Sequence, residues 1–280
     1  MTDHETFLQE AQEGLNEIVK PYQVEINRRQ RMADFIKTCI RCAGRNDFLQ
    51  LDELLRTKMA RDIQEEEALM GSESLLQDLR EYAGEQVDRY RIAFIEDLTN
   101  MVREADLPIT IDFPRFQSLP GISGEIDFSK RTTTINKKRL KSIDPRRIVQ
   151  ALLRVKKQLY DRPYDPQAFI DKVFEVYKNI LHKENQSFGS KVPAQRLYLE
   201  YVISLQSKPF FQDMDKGKFR GYSGDQFSVD LWRYFQAEIG GTSCGHVLKM
   251  TPGRINALWL LDSHGEKRQI TGISFEEKED

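Results

Sequence analysis

The stretch KRTTTINKKRLKSIDPRRIVQALLRVKK, residues 130–157, holds eleven Lys or Arg side chains against a single acid, Asp144. The chemistry it suits is the capture of phosphate oxygens: cations on a rigid element neutralise a nucleic-acid backbone without reading its bases. The expected contacts are Lys130, Arg131, Lys137, Lys138, Arg139, Lys141, Arg146, Arg147, Arg154 and Lys157. Thr132, Thr133 and Thr134 add hydroxyl donors. On a helical wheel Ile148, Leu152, Val155 and Leu159 cluster within about 60°, with Arg146, Arg147, Arg154 and Lys157 opposite. One helix would thus bury a stripe and present four cations. The NKKRLK segment lies near its entrance, where the backbone dipole also favours anions. Few aromatic residues interleave, which favours a duplex over a strand stacked on rings.

The competing expectation is internal docking. Residues 1–107 carry 23 acidic and 14 basic side chains, a net of −9, against +10 for residues 130–157, while the whole chain nets −2. The basic segment could lie on the acidic N-terminal part or on an acidic protein partner.

Two weaker constellations invite metal chemistry. GEID, residues 124–127, resembles the start of a metal-dependent nuclease core, in which a strand bearing Glu-x-Lys follows. That chemistry needs two carboxylates on a divalent cation and a lysine near the attacking water. Glu125, Asp127 and Lys138 would have to converge, yet Asn136 stands where a glutamate is wanted. Cys39 and Cys42 have the spacing of half a zinc site, and Cys244 with His246 could complete it. On a helix the first pair is equally suited to apolar packing. Ser190, Ser263 and His264 show no nucleophile–base spacing, and there is no phosphate-binding Gly-Lys-Ser/Thr loop or dinucleotide glycine fingerprint. No catalytic residue, metal or cofactor is assigned.

The elements that must position these groups are mostly helical. Pro21 is expected to break an opening helix into segments 3–20 and 22–43. GRND at 44–47 punctuates, with Asn46 or Asp47 capping a helix that carries Leu51, Leu54, Leu55 and Ile63. Ser74 and Gln77 form a capping-box pattern ahead of a long stripe: Leu76, Leu79, Ala83, Val87, Tyr90, Phe94, Leu98 and Met101. Pro108 ends it. ITIDF, GEIDF and TTTI alternate, predicting a hairpin or three-stranded meander over 109–137. Asp144-Pro145 and Asp165-Pro166 open the next two helices. Helix follows through AQRLYLEYVISLQ, then a box at Ser223 and Gln226 with a stop at Gly240. The aromatic run GDQFSVDLWRYF is expected to pack in a core. HVLKM, ALWLLD, the SHGE turn and RQITGISF close the chain as β-structure.

The expected fold is α+β, mainly helical, in three parts: residues 1–107 an acidic antiparallel bundle or coiled-coil arm, 108–185 a basic α/β centre with a small β-hairpin, and 186–280 a winged-helix-like unit. Hydrophobic content of 39% beside 31% charged residues suits helices with broad solvated faces. No run approaches 18 apolar residues, the start lacks a secretory pattern, and three cysteines do not make a disulfide framework. A cytoplasmic, membrane-free protein is expected. The architecture is similar to that of the non-ATPase subunits of SMC-type chromosome and defence complexes, which combine helical segments with winged-helix units. It implies a non-enzymatic adaptor subunit with protein partners and duplex contact through residues 130–157. The alternatives are a metal-dependent nuclease and a purely protein-binding scaffold.

Overall fold

The computed structural model describes residues 3–66 and 71–277. It is α+β, about 57% helical, with nine helices and two antiparallel sheets among the described residues. The chain divides into two units, residues 1–97 with 128–130, and residues 98–127 with 131–280.

The first unit begins with α1 (Asp3–Gly44), which runs unbroken through Pro21. The expected break does not occur. Proline removes one amide donor, but Phe7 to Val24 are all exposed, so the carbonyl it leaves is solvated by water instead of buried unpaired. Asp47 caps α2 (Phe48–Leu55), its side chain accepting from the amide of Gln50 at 3.3 Å. A break at Arg56 and Thr57 then places Ile63 in a separate helix, α3 (Lys58–Gln64). Met32, Cys39, Cys42, Leu51, Leu55, Ile63, Leu76 and Ala83 form one buried cluster. α4 (Ser72–Glu104) starts two residues before the expected box, so Ser74 lies in its first turn and not ahead of it. Of the expected α4 stripe Leu76, Ala83, Val87, Phe94 and Leu98 are buried and Leu79 and Met101 half-buried, while Tyr90 is exposed. Phe94 meets Phe128 edge-on at 5.1 Å.

The second unit takes in the end of α4 from Leu98 and then five short strands: β1 (Thr110–Asp112), β2 (Arg115–Gln117), β3 (Ser123–Asp127), β4 (Thr132–Ile135) and β5 (Lys138–Leu140). They pair in chain order as an antiparallel meander. The sequence pattern predicts three strands at most, because RFQ and KRL are too short to display alternation. Phe116 lies across Gly124, where a Cβ would fall 2.2 Å from the ring. Asp144 and Asp165 cap α5 (Pro145–Leu159) and α6 (Pro166–Glu184), each with proline in the first turn.

After α6 come β6 (Val192–Pro193), α7 (Ala194–Ser204), α8 (Lys208–Asp213) and α9 (Gly224–Gln236). The capping box at α9 is present: the Gln226 amide donates to Ser223 Oγ at 3.2 Å, and the Ser223 amide to Gln226 Oε1 at 2.8 Å. α9 stops at Gln236, before Gly240. β7 (His246–Pro252), β8 (Leu258–Leu261) and β9 (Lys267–Glu277) complete a sheet in which β9 pairs with β6, β7 and β8. A single core joins α6, α7, α9 and this sheet, so residues on both sides of position 185 share it. Phe227 and Tyr234 of the aromatic run are buried there, while Trp232 and Phe235 are half-buried. No helix among the described residues is long and apolar enough to cross a membrane.

Phe275 is fully buried against Phe174 and Tyr177, with ring centroids 4.9 and 5.1 Å away. Phe275→Ala is expected to destabilise the second unit by about 3–5 kcal/mol. Both tryptophans, Trp232 and Trp259, lie in that unit. Urea unfolding followed by their fluorescence should show a lower midpoint with an unchanged slope.

Candidate nucleic-acid interface

α5 buries Ile148, Val149, Leu152 and Leu159 and exposes Arg146, Arg147, Arg154 and Lys157. At 100° per residue those four cations occupy an arc of about 100°. Lys137, Lys138, Arg139 and Lys141 are also exposed. None of these eight makes an ion pair among the described residues, whereas Lys156, on the same helix, pairs with Asp161 at 3.3 Å. Lys130 and Arg131 are exposed in the turn between β3 and β4, but Lys130 belongs to the first unit and Arg131 to the second.

The cations of the hairpin do not form one patch with α5. Paired residues on neighbouring strands point to the same sheet face, and neighbours along a strand to opposite ones. Lys138 pairs with Ile135 and therefore shares the apolar face. There it lines a hollow of about 240 Å³ with Val155, Gln158 and Leu159, beside α5. Arg139 pairs with Thr134 on the other face. Across that face the register runs Asp112, Arg115, Glu125, Thr134, Arg139, a row of alternating charge. Its first four residues line an open groove of about 560 Å³ that Lys137 and Lys267 also line. This groove is of mixed charge, unlike the uniformly cationic face of α5.

The hairpin turn has a specific cause. Asn136 and Lys137 both have positive φ, 44° and 68°, the pairing of a two-residue type I′ turn. Asn136 is a turn residue, not a failed glutamate. Its Nδ2 donates to the carbonyl of Gly121 at 2.7 Å and its Oδ1 accepts from the amide of Ser123 at 3.0 Å. The same pleat keeps the nuclease constellation apart: Glu125 and Asp127 share one face, and Lys138 lies on the other. Thr132 and Thr133 are buried, and Thr133 donates to the carbonyl of Ser142 at 2.9 Å, so neither hydroxyl is offered to a phosphate.

The corner that follows α5 is built on a buried charged group, Asp230, that the charge pattern of the basic stretch does not contain. Asp230, on α9, is 2% exposed. It forms an ion pair with Arg162, just beyond α5, and accepts from the Tyr222 hydroxyl at 2.5 Å. Arg233 approaches the same carboxylate at 4.0 Å and lies over the Tyr164 ring at 4.2 Å. Tyr164 donates to the Asp230 carbonyl at 2.6 Å. Desolvation, with the neighbouring Asp230 charge, pushes the phenols of Tyr222 and Tyr164 far above their ordinary range, and Tyr201 up to about 12. These phenols therefore remain neutral donors. Arg162 also donates to the Leu159 carbonyl at 3.2 Å, Gln226 to that of Gln158 at 3.2 Å, and Tyr160 to that of Pro120 at 2.5 Å. The last turn of α5 is thus held on three sides. One sequence signal was present: Asp230 occupies the i+3 position from buried Phe227, where an apolar residue is expected.

Cys39 and Cys42 are buried in the apolar cluster of the first unit, where burial, with Cys42 beside it, pushes the Cys39 thiol up to about 11. His246 stacks on Phe174 with centroids 4.6 Å apart. Among the described residues no group of three or more His, Cys, Asp or Glu side chains is placed to hold a metal. Comparison with protein-family models, curated proteins and solved structures returns no match to this chain.

Removing one member of a buried ion pair strands the other. Asp230→Ala is expected to lower stability by about 3–5 kcal/mol. Asp230→Leu combined with Arg162→Met should be less destabilised than Asp230→Ala, because it leaves one stranded cation, Arg233, where Asp230→Ala leaves two, Arg162 and Arg233. Urea unfolding of the two variants makes the comparison; equal losses would mean that the charges themselves contribute little.

Proposed function

We propose that the protein is a non-enzymatic adaptor whose second unit lays the outer face of α5 along the backbone of duplex nucleic acid. The observation that carries this reading is the set Arg146, Arg147, Arg154 and Lys157: exposed, without an ion pair among the described residues, and on one arc of an anchored helix. From Arg146 to Lys157 the helix rises about 17 Å, so the set spans several phosphates. Arg146 and Arg147 stand in the first turn of α5, where no acid is present. Cations there oppose the helix dipole at about 0.3–1 kcal/mol each, so folding alone does not favour them. An anion bound across that turn turns the penalty into an attraction.

The same reading takes the C-terminal half as winged-helix-like. The order α6, β6, α7, the short α8, α9, then strands, with the short β6 paired to the last strand β9, supports it. The adaptor role is read from the cationic face of α5. Nuclease chemistry is disfavoured by the separation of Lys138 from Glu125 and Asp127 across the sheet.

A salt series of electrophoretic shifts with random duplex DNA tests the proposal. With about four phosphate contacts, log affinity should fall against log salt with a slope near −3.5. Reversal of Arg146, Arg147, Arg154 and Lys157 to glutamate should abolish the shift, and reversal of Arg139 on the far sheet face should leave most of it. Binding that survives the fourfold reversal would remove α5 from the interface.

A further inference from the structure

Between Phe7 and Ile26, α1 carries an apolar stripe that is exposed and uncovered among the described residues. Leu8, Leu15, Ile18, Val19, Tyr22 and Ile26 are 56–69% exposed. With Ala11 they fall within an arc of about 100° on a helix. The stripe that packs against α2 and α3 is a different one, carrying Met32, Cys39 and Cys42 further along α1. Steps of three and four residues over about 30 Å are the spacing of a helix–helix seam. A solvated helix has no use for such a stripe, since exposed apolar surface of this extent favours association.

The charges say what covers it. Positions 3–17 contain five acids, Asp3, Glu5, Glu10, Glu13 and Glu17, and no Lys or Arg. Positions 20–31 contain Lys20, Arg28, Arg29 and Arg31 against one acid, Glu25. The helix dipole does not account for this gradient: its influence fades within the first and last turns, and residues 28–31 lie in the middle of a helix that continues to Gly44. We infer that α1 pairs with α1 of a second copy of this chain, antiparallel, through the Leu8–Ile26 stripe. A parallel pair would set each acidic half beside its own copy. An antiparallel pair sets each acidic half beside a basic stretch.

The register follows from size. With the two-fold axis between Asn16 and Glu17, Ala11 of one copy faces Tyr22 of the other, a small residue against the bulkiest. Leu15 then faces Ile18, and Phe7 faces Ile26. The intrachain pairs Lys20–Glu17 at 3.4 Å and Arg29–Glu25 at 2.8 Å are exposed and weak, so they yield readily to contacts across the seam. Arg28 already holds Glu66 at 2.7 Å and adds only its residual field.

Sedimentation equilibrium of the full chain tests the pairing. A dimer is expected at about 100 µM, with the dissociation constant rising at least tenfold in Leu15→Ala/Ile18→Ala, a change that preserves helix propensity. Circular dichroism should confirm an intact fold in that variant. Orientation is read by oxidative cross-linking in a Cys244→Ser background, since Cys244 is the exposed native thiol. A mixture of Ala11→Cys and Tyr22→Cys chains should give the mixed dimer. Either variant alone should give little, because identical positions in an antiparallel pair lie about 16 Å apart, beyond disulfide reach. A monomer at that concentration overturns the proposal and leaves the stripe to another partner. Efficient self-cross-linking of each single variant overturns the antiparallel arrangement.

Discussion

The buried carboxylate of Asp230 is the constraint on which the second unit's surface depends. A charge with 2% exposure is stable only when its neighbours replace water, and here Arg162 and Tyr222 do so, with the Arg233 charge adding its field from 4.0 Å. Each of those partners comes from a different place in the chain. Arg162 lies in the corner between α5 and α6, Tyr222 just before α9, and Arg233 one turn along α9. Satisfying one carboxylate therefore fixes where α5 ends and how α6 leaves it. The direction in which α5 shows its cations is a consequence of that corner.

Helix and sheet treat the basic segment differently, and the difference decides what it can bind. On α5 a period of 3.6 residues gathers Arg146, Arg147, Arg154 and Lys157 to one side and sends Ile148, Leu152 and Leu159 to the other. On β5 a period of two sends Lys138 and Arg139 to opposite faces. Arg139 joins a row with Glu125 and Arg115 in which opposite charges alternate. One run of cations in the sequence becomes a uniform face and a compensated groove.

This contrast also marks where the sequence was readable. Helix starts were legible because their causes are local: Asp144-Pro145, Asp165-Pro166 and the Ser223–Gln226 box each act within four residues. The α4 stripe and the terminal strands were legible because their periods persist long enough to be seen. Strands of three residues such as Arg115–Gln117 and Lys138–Leu140 show no period, so the five-stranded meander was not foreseen. At Pro21 the expected break does not occur, because the carbonyl that loses its donor lies on an exposed stretch of α1. The role of Asp230 is not legible because its ion-pair partner Arg162 lies 68 residues away in the chain. The α5 face of the candidate interface was accessible from the sequence; the corner that holds it was not.

The polarised charge of the chain has a physical reading that does not require the two segments to neutralise each other. In the first unit acids find partners close by: Asp52 holds Arg56 through both oxygens at 2.9 Å, Glu66 holds Arg28, and Glu25 holds Arg29. In the second, eight cations of the basic stretch have no carboxylate within ion-pair distance among the described residues. An isolated cation in water costs little, so eight of them do not unfold the unit, but neither do they stabilise it. Selection for folding alone is indifferent to them. The Arg146–Arg147 pair goes further, because at the start of a helix it works against the fold that displays it. Charge that folding does not use, held outward on an element that folding fixes firmly, is surface available to an anionic partner.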